Sequence, residues 1–432
     1  MMNKMSQFIE TKVAPVATKL SSQKYLKALQ STFLFLIPFF TIGSFALVLI
    51  SPPVDYTTME PGFLQSIMAG WQSFADFTSP VLDYVFNVTM PLMSLYVALG
   101  ISYNLCKEYK INSMMPLLVT MSSFIISASM NAERTLSFAA FDATGLFTAI
   151  FVGIISFELY RVLVEKKVGR INLEGSGVPP ALADSIGNLV PVAIVVVLTA
   201  FLNNLLFTFT SINLPQVITI IMNPLVSAVD NIWGVIILAV LVMVFWWFGI
   251  HDSVITSALD PFFYSNLGAN AAAFAAGTAA MALPHVVTAP FWWNFMAIGG
   301  SGATLGLAFL ALTSKSKQLR TIGKLSFIPS LFNINEPLIF GLPLMYNPIM
   351  MIPFIIVMPL NGVITYLAMS SGLVAKTFAY ASWNMFSPIA ALIDTMDIKA
   401  VILVIALIII DILIYLPFFK AFEKQKLAEE EE

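Results

Sequence analysis

The sequence predicts an all-α polytopic membrane protein with about ten transmembrane helices, two re-entrant hairpins and both termini in the cytoplasm. Of its 432 residues, 58% are apolar and only 10% are charged, whereas about a quarter of the residues of a soluble domain are charged. Several windows of about 20 apolar residues carry no charge, which is the length that a helix needs to cross a bilayer. The chain is therefore expected to reside in a membrane, in contact with lipid.

Charge and residue usage exclude several other functions. The chain has 21 Lys plus Arg against 24 Asp plus Glu and a net charge of −3, which leaves no basic footprint for nucleic acid. One Cys and two His are too few for a zinc site or an iron–sulfur cluster. We therefore expect no metal and no cofactor, and chemistry carried by oxygen groups, aromatic rings and an imidazole.

The positions of Lys and Arg predict the topology. Most of them fall in five clusters beside the ends of apolar runs, at residues 4–27, 107–110, 161–170, 315–324 and 420–426. The positive-inside rule places these clusters, and with them both termini, in the cytoplasm. Residues 1–28 are predicted to form an amphipathic cytoplasmic lead-in rather than a signal peptide, and residues 420–432 a cytoplasmic tail.

Residues 29–211 are predicted to form an N-terminal transmembrane half with five crossings. These run from Leu29 to Ile50, Tyr84 to Cys106, Met114 to Met130, Asp142 to Leu163 and Ile186 to Phe209. The loop from Ser51 to Asp83 contains acidic residues but no Lys or Arg, so it is expected outside. The loop from Glu165 to Ser185 is expected to be a long cytoplasmic connection.

Residues 212–419 are predicted to form a C-terminal half that binds substrate. No Lys or Arg occurs between Arg170 and Lys315, and both of these belong to cytoplasmic clusters, so an even number of crossings must lie between them. Three helices in this interval are clear. The first is the crossing from Ile186 to Phe209, and the others run from Ile232 to Ile250 and from Phe291 to Leu312. A fourth is predicted in the Ala-rich stretch from Asn270 to Val287, which leaves His251 to Gly268 as a re-entrant hairpin.

A second re-entrant hairpin is predicted from Leu325 to Tyr346. Pro337 disfavours helix at the residue before it and suits a first helical position, so Glu336 is predicted to be an N-cap. Crossings from Pro348 to Ala368 and from Lys399 to Phe419 complete the count. The stretch between them contains Trp383 and is expected outside or dipping back into the membrane.

The polar residues of this half predict a sugar site. Ionisable groups at membrane depth are costly and point to function, and Glu336, which follows the amide-bearing Asn333 and Asn335, offers a carboxylate to paired hydroxyls. His251 follows a tryptophan-rich run and precedes Asp252, while the indole of Trp383 suits the apolar face of a pyranose ring. Asp260 precedes Pro261 and is predicted to be a helix N-cap.

For two other ionisable residues, Asp411 and His285, the sequence leaves structural and functional roles open. Asp411 lies inside an apolar run, where it could be a hydrogen-bonded partner between helices. His285 follows a proline at a predicted helix break.

Two segments of the C-terminal half resemble the signature of the membrane subunit, enzyme IIC, of the bacterial phosphotransferase system. They are Trp247-Phe248-Gly249-Ile250-His251-Asp252 and Phe332-Asn333-Ile334-Asn335-Glu336-Pro337-Leu338-Ile339-Phe340-Gly341-Leu342-Pro343. The lactose, cellobiose and diacetylchitobiose branch is the most similar. The opening segment from Phe8 to Ala17 is also similar to that branch, so the resemblance spans essentially the whole chain.

The resemblance implies a homodimer in the bacterial cytoplasmic membrane, with contacts mainly from the N-terminal half. It places the sugar-contacting residues at His251, Glu336 and Trp383, either of the first two being a possible proton acceptor for a sugar hydroxyl. Asn335, Asn294 and Trp246 are further substrate-binding candidates, and Pro337 is assigned a structural role. The substrate implied is a disaccharide of the cellobiose, lactose or chitobiose type.

The resemblance also implies that the phosphoryl donor is a separate polypeptide. IIB domains of the family carry a phosphorylated cysteine, whereas Cys106 lies at a predicted helix end beside Lys107, without a phosphate-cradling loop. A separate phosphorylated IIB protein, with IIA upstream, is therefore expected. This chain would be the transport subunit of a protein-phosphocysteine sugar phosphotransferase.

A proton-coupled sugar transporter is the alternative, with Glu336 as the titrating group, because broken helices and a midplane carboxylate suit both functions. An intramembrane hydrolase is poorly supported, since no set of nucleophile, base and orienting group is visible.

We predict that Cys106→Ser leaves sugar phosphorylation by phosphorylated IIB nearly unchanged, because Cys106 has no phosphate-binding loop. The measurement is the rate of sugar-phosphate formation in vesicles that contain the variant or the parent protein. A complete loss, in a variant that still inserts and binds sugar, would mean that the chain has its own phosphoryl relay.

Overall fold

The computed structural model describes residues 23–131, 135–169, 171 and 179–431. All regular secondary structure in these ranges is helical, which agrees with the predicted all-α class. The α-helices in chain order are α1 Lys24–Ile50, α2 Phe63–Asn87, α3 Met93–Tyr109, α4 Met114–Ser129, α5 Leu146–Glu165, α6 Pro180–Gly187, α7 Leu189–Thr210, α8 Leu214–Val229, α9 Ile232–Trp247, α10 Ser253–Ala275, α11 Leu305–Leu312, α12 Lys317–Leu331, α13 Glu336–Gly341, α14 Met351–Ser370, α15 Ser387–Thr395 and α16 Ile398–Glu431. Most of the predicted lead-in and the centre of the loop after α5 lie outside the described residues.

Six helical segments of the described chain are long and apolar enough to cross a membrane. They are Lys24–Ile50, Phe63–Tyr109, Ala143–Glu165, Leu189–Thr210, Met351–Ser370 and Ile398–Glu430. Helices α8 and α9 pass the same test as a pair, but they are bent by 75°. The fold is that of a polytopic membrane protein, while ten crossings and cytoplasmic termini stay predictions.

The described residues group into two compact units that differ from the predicted sequential halves. The smaller unit contains residues 23–37 and 91–224, and the larger unit contains residues 38–90 and 225–431. Residues 38–90 thus pack with the C-terminal part of the chain, although they precede most of the smaller unit in sequence.

The smaller unit is a helix bundle with hydrogen bonds between polar side chains of different helices. Helix α3 packs against α4 and α5, and α4 packs against α7. Asn203 on α7 donates from Nδ2 to Ser127 Oγ on α4 at 3.0 Å, and Ser156 donates to Thr120 Oγ1 at 3.2 Å. Such bonds between helices supply the specific attraction that lipid-facing apolar surfaces cannot.

The larger unit holds its central helices at close backbone distance. Helix α9 packs against α14, and α11 packs against α12 and α16. A Cβ on Gly306 would lie 2.8 Å from the backbone nitrogen of Ile412, and one on Gly323 would lie 2.2 Å from that of Leu312. Only glycine allows these approaches, and they fix both neighbours of α11.

Two amphipathic helices were not predicted. The expected external loop from Ser51 to Asp83 contains α2, and α8 follows α7 after three residues. In both helices apolar residues recur with a helical period between polar ones, so each helix has one apolar and one polar face. The prediction of a plain acidic loop is therefore wrong for residues 63–83.

The predicted division of residues 251–287 is also wrong. Helix α10 runs without a break from Ser253 to Ala275 and contains Asp260 and Pro261 in its interior. Asp260 is therefore not an N-cap. Alanine has the highest helix propensity, and the Ala-rich run extends the helix until Gly277, whose φ is +92°. No crossing helix occupies residues 270–287, and α10 extends past Gly268, the predicted end of the first hairpin.

The predicted helix from Phe291 to Leu312 is broken in the structure. It contains a π-helix at Phe291–Met296, an irregular stretch at residues 297–304, and then α11. Gly299, Gly300 and Gly302 have φ values of +78°, +97° and +90°, which an α-helix cannot contain. We call residues 297–304 the glycine loop, and the candidate site is built on it.

Candidate binding site

His251 and Asp252 lie at the junction between α9 and α10. Tyr346 holds the end of α9 by two hydrogen bonds. Its backbone N–H donates to Trp247 O at 3.0 Å, and its hydroxyl donates to Phe248 O at 2.8 Å. The indole of Trp246 packs against the imidazole of His251 with 4.6 Å between ring centroids. The ring of His251 therefore has a buried aromatic wall on one side.

The two nitrogens of His251 have different surroundings. Nδ1 lies 2.8 Å from Asp252 Oδ1 and 2.9 Å from Ser253 Oγ, and it accepts from the backbone N–H of Ser253 at 3.2 Å. Nε2 lies 4.0 Å from Oε1 of Glu336. The side chains of His251 and Glu336 are both 48% exposed, so they open onto the same accessible space.

Glu336 is the first residue of α13 rather than its N-cap. The N-cap is Asn335, which makes no capping bond with its side chain, and Pro337 lies in the first turn. The prediction that Glu336 is the cap is therefore wrong by one residue. The carboxylate of Glu336 is thus not engaged in capping and faces His251.

The two asparagines that precede Glu336 tie it to the glycine loop. Asn333 Oδ1 accepts from the backbone N–H of Gly299 at 2.7 Å. Asn335 Nδ2 donates to Ser301 O and to Thr304 Oγ1, both at 2.8 Å. The hydroxyl of Ser301 in turn donates to Asp252 Oδ2, so the glycine loop connects the segments that carry His251 and Glu336.

Trp383 is joined to the same arrangement through its backbone. Asn333 Nδ2 donates to Trp383 O at 2.7 Å, and the Trp383 side chain is partly exposed. The segment before it is held by Asp394, whose Oδ1 accepts from Ala381 N–H at 2.8 Å. The structure therefore links Trp383 to the segment that carries Glu336.

Three other predicted contact residues lie behind this surface. Asn294 is fully buried and donates from Nδ2 to Asp394 Oδ2 at 2.8 Å. Asn335 and Trp246 are 4% and 3% exposed. In this arrangement they support the segments that carry the exposed groups, and direct contact with substrate stays a prediction for all three.

Sequence reasoning did not single out Ser301, Asn333 or the glycine loop as parts of the site. The signal that could have found the loop is the run Gly299-Gly300-Ser301-Gly302, which is unsuited to the helix centre where it was placed. Asn333 was noticed only as a neighbour of Glu336. Its hydrogen bonds join residues that are far apart in sequence, so no local pattern reveals them.

The two ionisable residues whose roles were open are paired within the fold. His285 Nδ1 lies 2.8 Å from Asp230 Oδ2, and Asp230 Oδ1 accepts from Val287 N–H at 2.7 Å. Asp411 Oδ2 accepts from Asn361 Nδ2 at 3.1 Å. These pairs hold helices and loops together. No group of three or more His, Cys, Asp or Glu side chains in the described ranges could hold a metal ion.

Comparison with known proteins identifies the family. Residues 30–357 match the family model described as phosphotransferase system, EIIC. The chain belongs to this family. It is 32% identical to the cellobiose-specific EIIC component of Geobacillus stearothermophilus, over 100% of this chain and 97% of that one. It is 31% identical to the oligo-beta-mannoside-specific EIIC component of Bacillus subtilis, over 100% and 96% of the two chains.

A solved structure has the same fold over nearly the whole length. The IIC component ChbC of the N,N'-diacetylchitobiose-specific phosphotransferase system superposes with a TM-score of 0.86 at 31% identity, covering 98% of this chain and 99% of that one. The family predicted from two short segments is therefore confirmed. This IIC protein is a sugar-specific permease subunit of a phosphotransferase system.

We predict that Gly300→Ala destabilises this IIC protein more than Gly277→Ala. Both glycines have a φ above +90°, so both variants lose about 1 to 2 kcal/mol to a left-handed backbone. A Cβ on Gly300 would lie 2.4 Å from Cγ of Asn335, whereas nothing lies within 4 Å of one on Gly277. Overpacking should add about 1 to 3 kcal/mol at Gly300.

The measurement is the thermal unfolding of the two purified variants and the parent in detergent. Equal losses of Tm in the two variants would mean that the glycine loop does not pack against Asn335.

Proposed function

We propose that this IIC protein binds a disaccharide of the cellobiose, lactose or chitobiose type between His251, Glu336 and Trp383. It then presents one hydroxyl of the sugar for phosphorylation by a separate phosphorylated IIB protein, with IIA upstream. The observation that carries the proposal is the pair His251 and Glu336, whose Nε2 and Oε1 are 4.0 Å apart and both half-exposed. The names of the relatives, which include cellobiose and lactose components, support a disaccharide.

The distance between His251 Nε2 and Glu336 Oε1 suits a single sugar hydroxyl between them. Hydrogen bonds to oxygen and nitrogen are about 2.7 to 3.0 Å long, so one hydroxyl oxygen can lie within bonding distance of Nε2 and Oε1 together. Trp383, partly exposed and tied to the same segment, would stack on the apolar face of the sugar ring. The three contacts would fix both the position and the orientation of the hydroxyl.

The surroundings of His251 favour Glu336 as the proton acceptor. The backbone N–H of Ser253 points at Nδ1, so a neutral imidazole carries its proton on Nε2, facing Glu336. Asp252, at 2.8 Å from Nδ1, stabilises an imidazolium, in which Nε2 is protonated as well. His251 would then donate to the sugar hydroxyl while Glu336 takes the proton as the phosphoryl group is transferred.

The phosphoryl group would come from outside this chain. Cys106 is buried in the structure, which makes it unsuited to accept a phosphoryl group from a protein donor.

Helix α7 carries exposed apolar side chains, among them Val197, Phe201 and Leu205. These would contact lipid of the cytoplasmic membrane or a second copy of the chain in a homodimer.

The test is sugar uptake by vesicles that contain the purified protein, with and without phosphorylated IIB. We expect accumulated sugar to be phosphorylated, and accumulation to require phosphorylated IIB. Uptake of unmodified sugar that follows a proton gradient instead would contradict group translocation and favour a proton-coupled transporter.

We predict that Glu336→Gln lowers sugar affinity by about ten- to a hundredfold. The variant keeps the shape but removes the charge and replaces an acceptor by a donor, and a charge-assisted hydrogen bond is worth about 1.5 to 3 kcal/mol, where 1.4 kcal/mol is tenfold. Glu336→Asp should also lose affinity, because its carboxylate is drawn back by one methylene. Calorimetric titration of the purified variants with cellobiose, lactose and N,N'-diacetylchitobiose measures both effects.

Because Asn335 is the N-cap, neither substitution should lower Tm by more than a few degrees. Glu60→Gln, in an exposed loop of the same unit, is the control and should bind like the parent. Parent-like affinity of Glu336→Asp would place the sugar site elsewhere.

A further inference from the structure

We infer that Asn333 is a positioning residue that holds Trp383 at a fixed place relative to Glu336. The stacking ring and the carboxylate would then act on one sugar as a single rigid surface. The inference rests on the proposed function, and it assigns a role to a residue that does not itself contact the sugar.

Both the oxygen and the nitrogen of the Asn333 side-chain amide form hydrogen bonds. Oδ1 accepts from Gly299 N–H at 2.7 Å and from the hydroxyl of Ser387 at 3.3 Å. Nδ2 donates to Trp383 O at 2.7 Å. Asn333 is buried, with a residue exposure of 8%, so these bonds are sheltered from competition by water.

The backbone of Asn333 explains why this residue type is suited to the position. Its φ is +59°, in the left-handed region that asparagine adopts more readily than most residues. Among such residues, asparagine also offers a donor and an acceptor on one short, planar group. Asn333 therefore ends α12, turns the chain towards Glu336 and bonds to two other segments.

Trp383 depends on such a bond because its own segment has no regular structure. Between α14 and α15 the chain is irregular from Ser371 to Phe386, and Ser382 has a φ of +75°. Asp394 accepts from Phe378 N–H with its backbone oxygen and from Ala381 N–H with its carboxylate. Asn333 adds the bond at Trp383 itself, and it lies only three residues before Glu336.

The test is a double-mutant cycle between Asn333→Asp and Trp383→Ala. Aspartate can still accept from Gly299 and Ser387, but it places an oxygen against Trp383 O and Met385 O, so it loses both bonds from Nδ2 to the segment of Trp383. We expect Asn333→Asp to raise the Kd for cellobiose about tenfold in the parent, an effect of the size that one buried hydrogen bond supplies. In the Trp383→Ala background we expect Asn333→Asp to change the Kd for cellobiose by less than about twofold, because no indole remains to be positioned.

Asn347→Asp is the matched control. Asn347 Oδ1 accepts from Ile349 N–H and Met350 N–H at the start of α14, and aspartate keeps both bonds, so this variant should bind like the parent. Asn333→Gly is the second variant, because glycine fits the left-handed backbone. If Asn333→Asp does not fold, Asn333→Gly takes its place in the double-mutant cycle with Trp383→Ala. An equal loss of affinity with and without Trp383, or no loss at all, would overturn the inference.

A measurement without sugar separates this inference from the proposed function. Hydrogen exchange of the amides at residues 381–386 should be faster in Asn333→Asp than in the parent and in Asn347→Asp. Unchanged exchange would overturn the positioning role even if cellobiose binds. If exchange is faster but neither cellobiose, lactose nor N,N'-diacetylchitobiose binds the parent, the Asn333 contact stands and the proposed function fails.

Discussion

The candidate site depends on satisfying irregular backbone inside a membrane protein. Backbone N–H and C=O groups that leave a helix in the bilayer have no water to bond, and each one left unsatisfied costs several kcal/mol. Here the glycine loop leaves the helical path, and side-chain amides replace the lost bonds. Asn333 accepts from Gly299 N–H, and Asn335 donates to Ser301 O. Without these amides Gly299 N–H and Ser301 O would lose these partners.

The same bonds give the site its geometry. Asn333 and Asn335 come from the segment that carries Glu336, whereas their partners belong to the glycine loop and to the segment of Trp383. Each bond that satisfies the backbone therefore also sets the distance between two functional groups. Under the proposed function, the hydrogen bonds that satisfy the backbone would also position the sugar, so a change at either asparagine would affect both.

Charge is concentrated where the backbone is irregular. His251, Asp252 and Glu336 form one cluster, and the hydroxyl of Ser301 adds a donor to Asp252. Two other polar pairs of the larger unit, Asp230 with His285 and Asp411 with Asn361, are bonded to each other and lie between neighbouring elements. The exposed pair of His251 and Glu336 differs from them because its facing atoms are 4.0 Å apart, which leaves room for a ligand atom.

The sequence by itself determined the membrane class, the family and the most apolar helices. Helices α4, α5, α7 and α9 lie within a few residues of their predicted positions, because long, mostly apolar runs have few alternatives in lipid. His251 and Glu336 were also found from sequence, since ionisable residues beside helix breaks are rare in such a chain.

Only the tertiary structure decided how the remaining segments fold and which residues meet. The amphipathic α2 and α8, the unbroken α10 around Asp260 and the break at the glycine loop all depend on packing, which hydropathy does not encode. Asn333 meets Gly299 and Trp383 across 34 and 50 residues of chain. Contacts of that length are set by the fold as a whole, so no local pattern could indicate them.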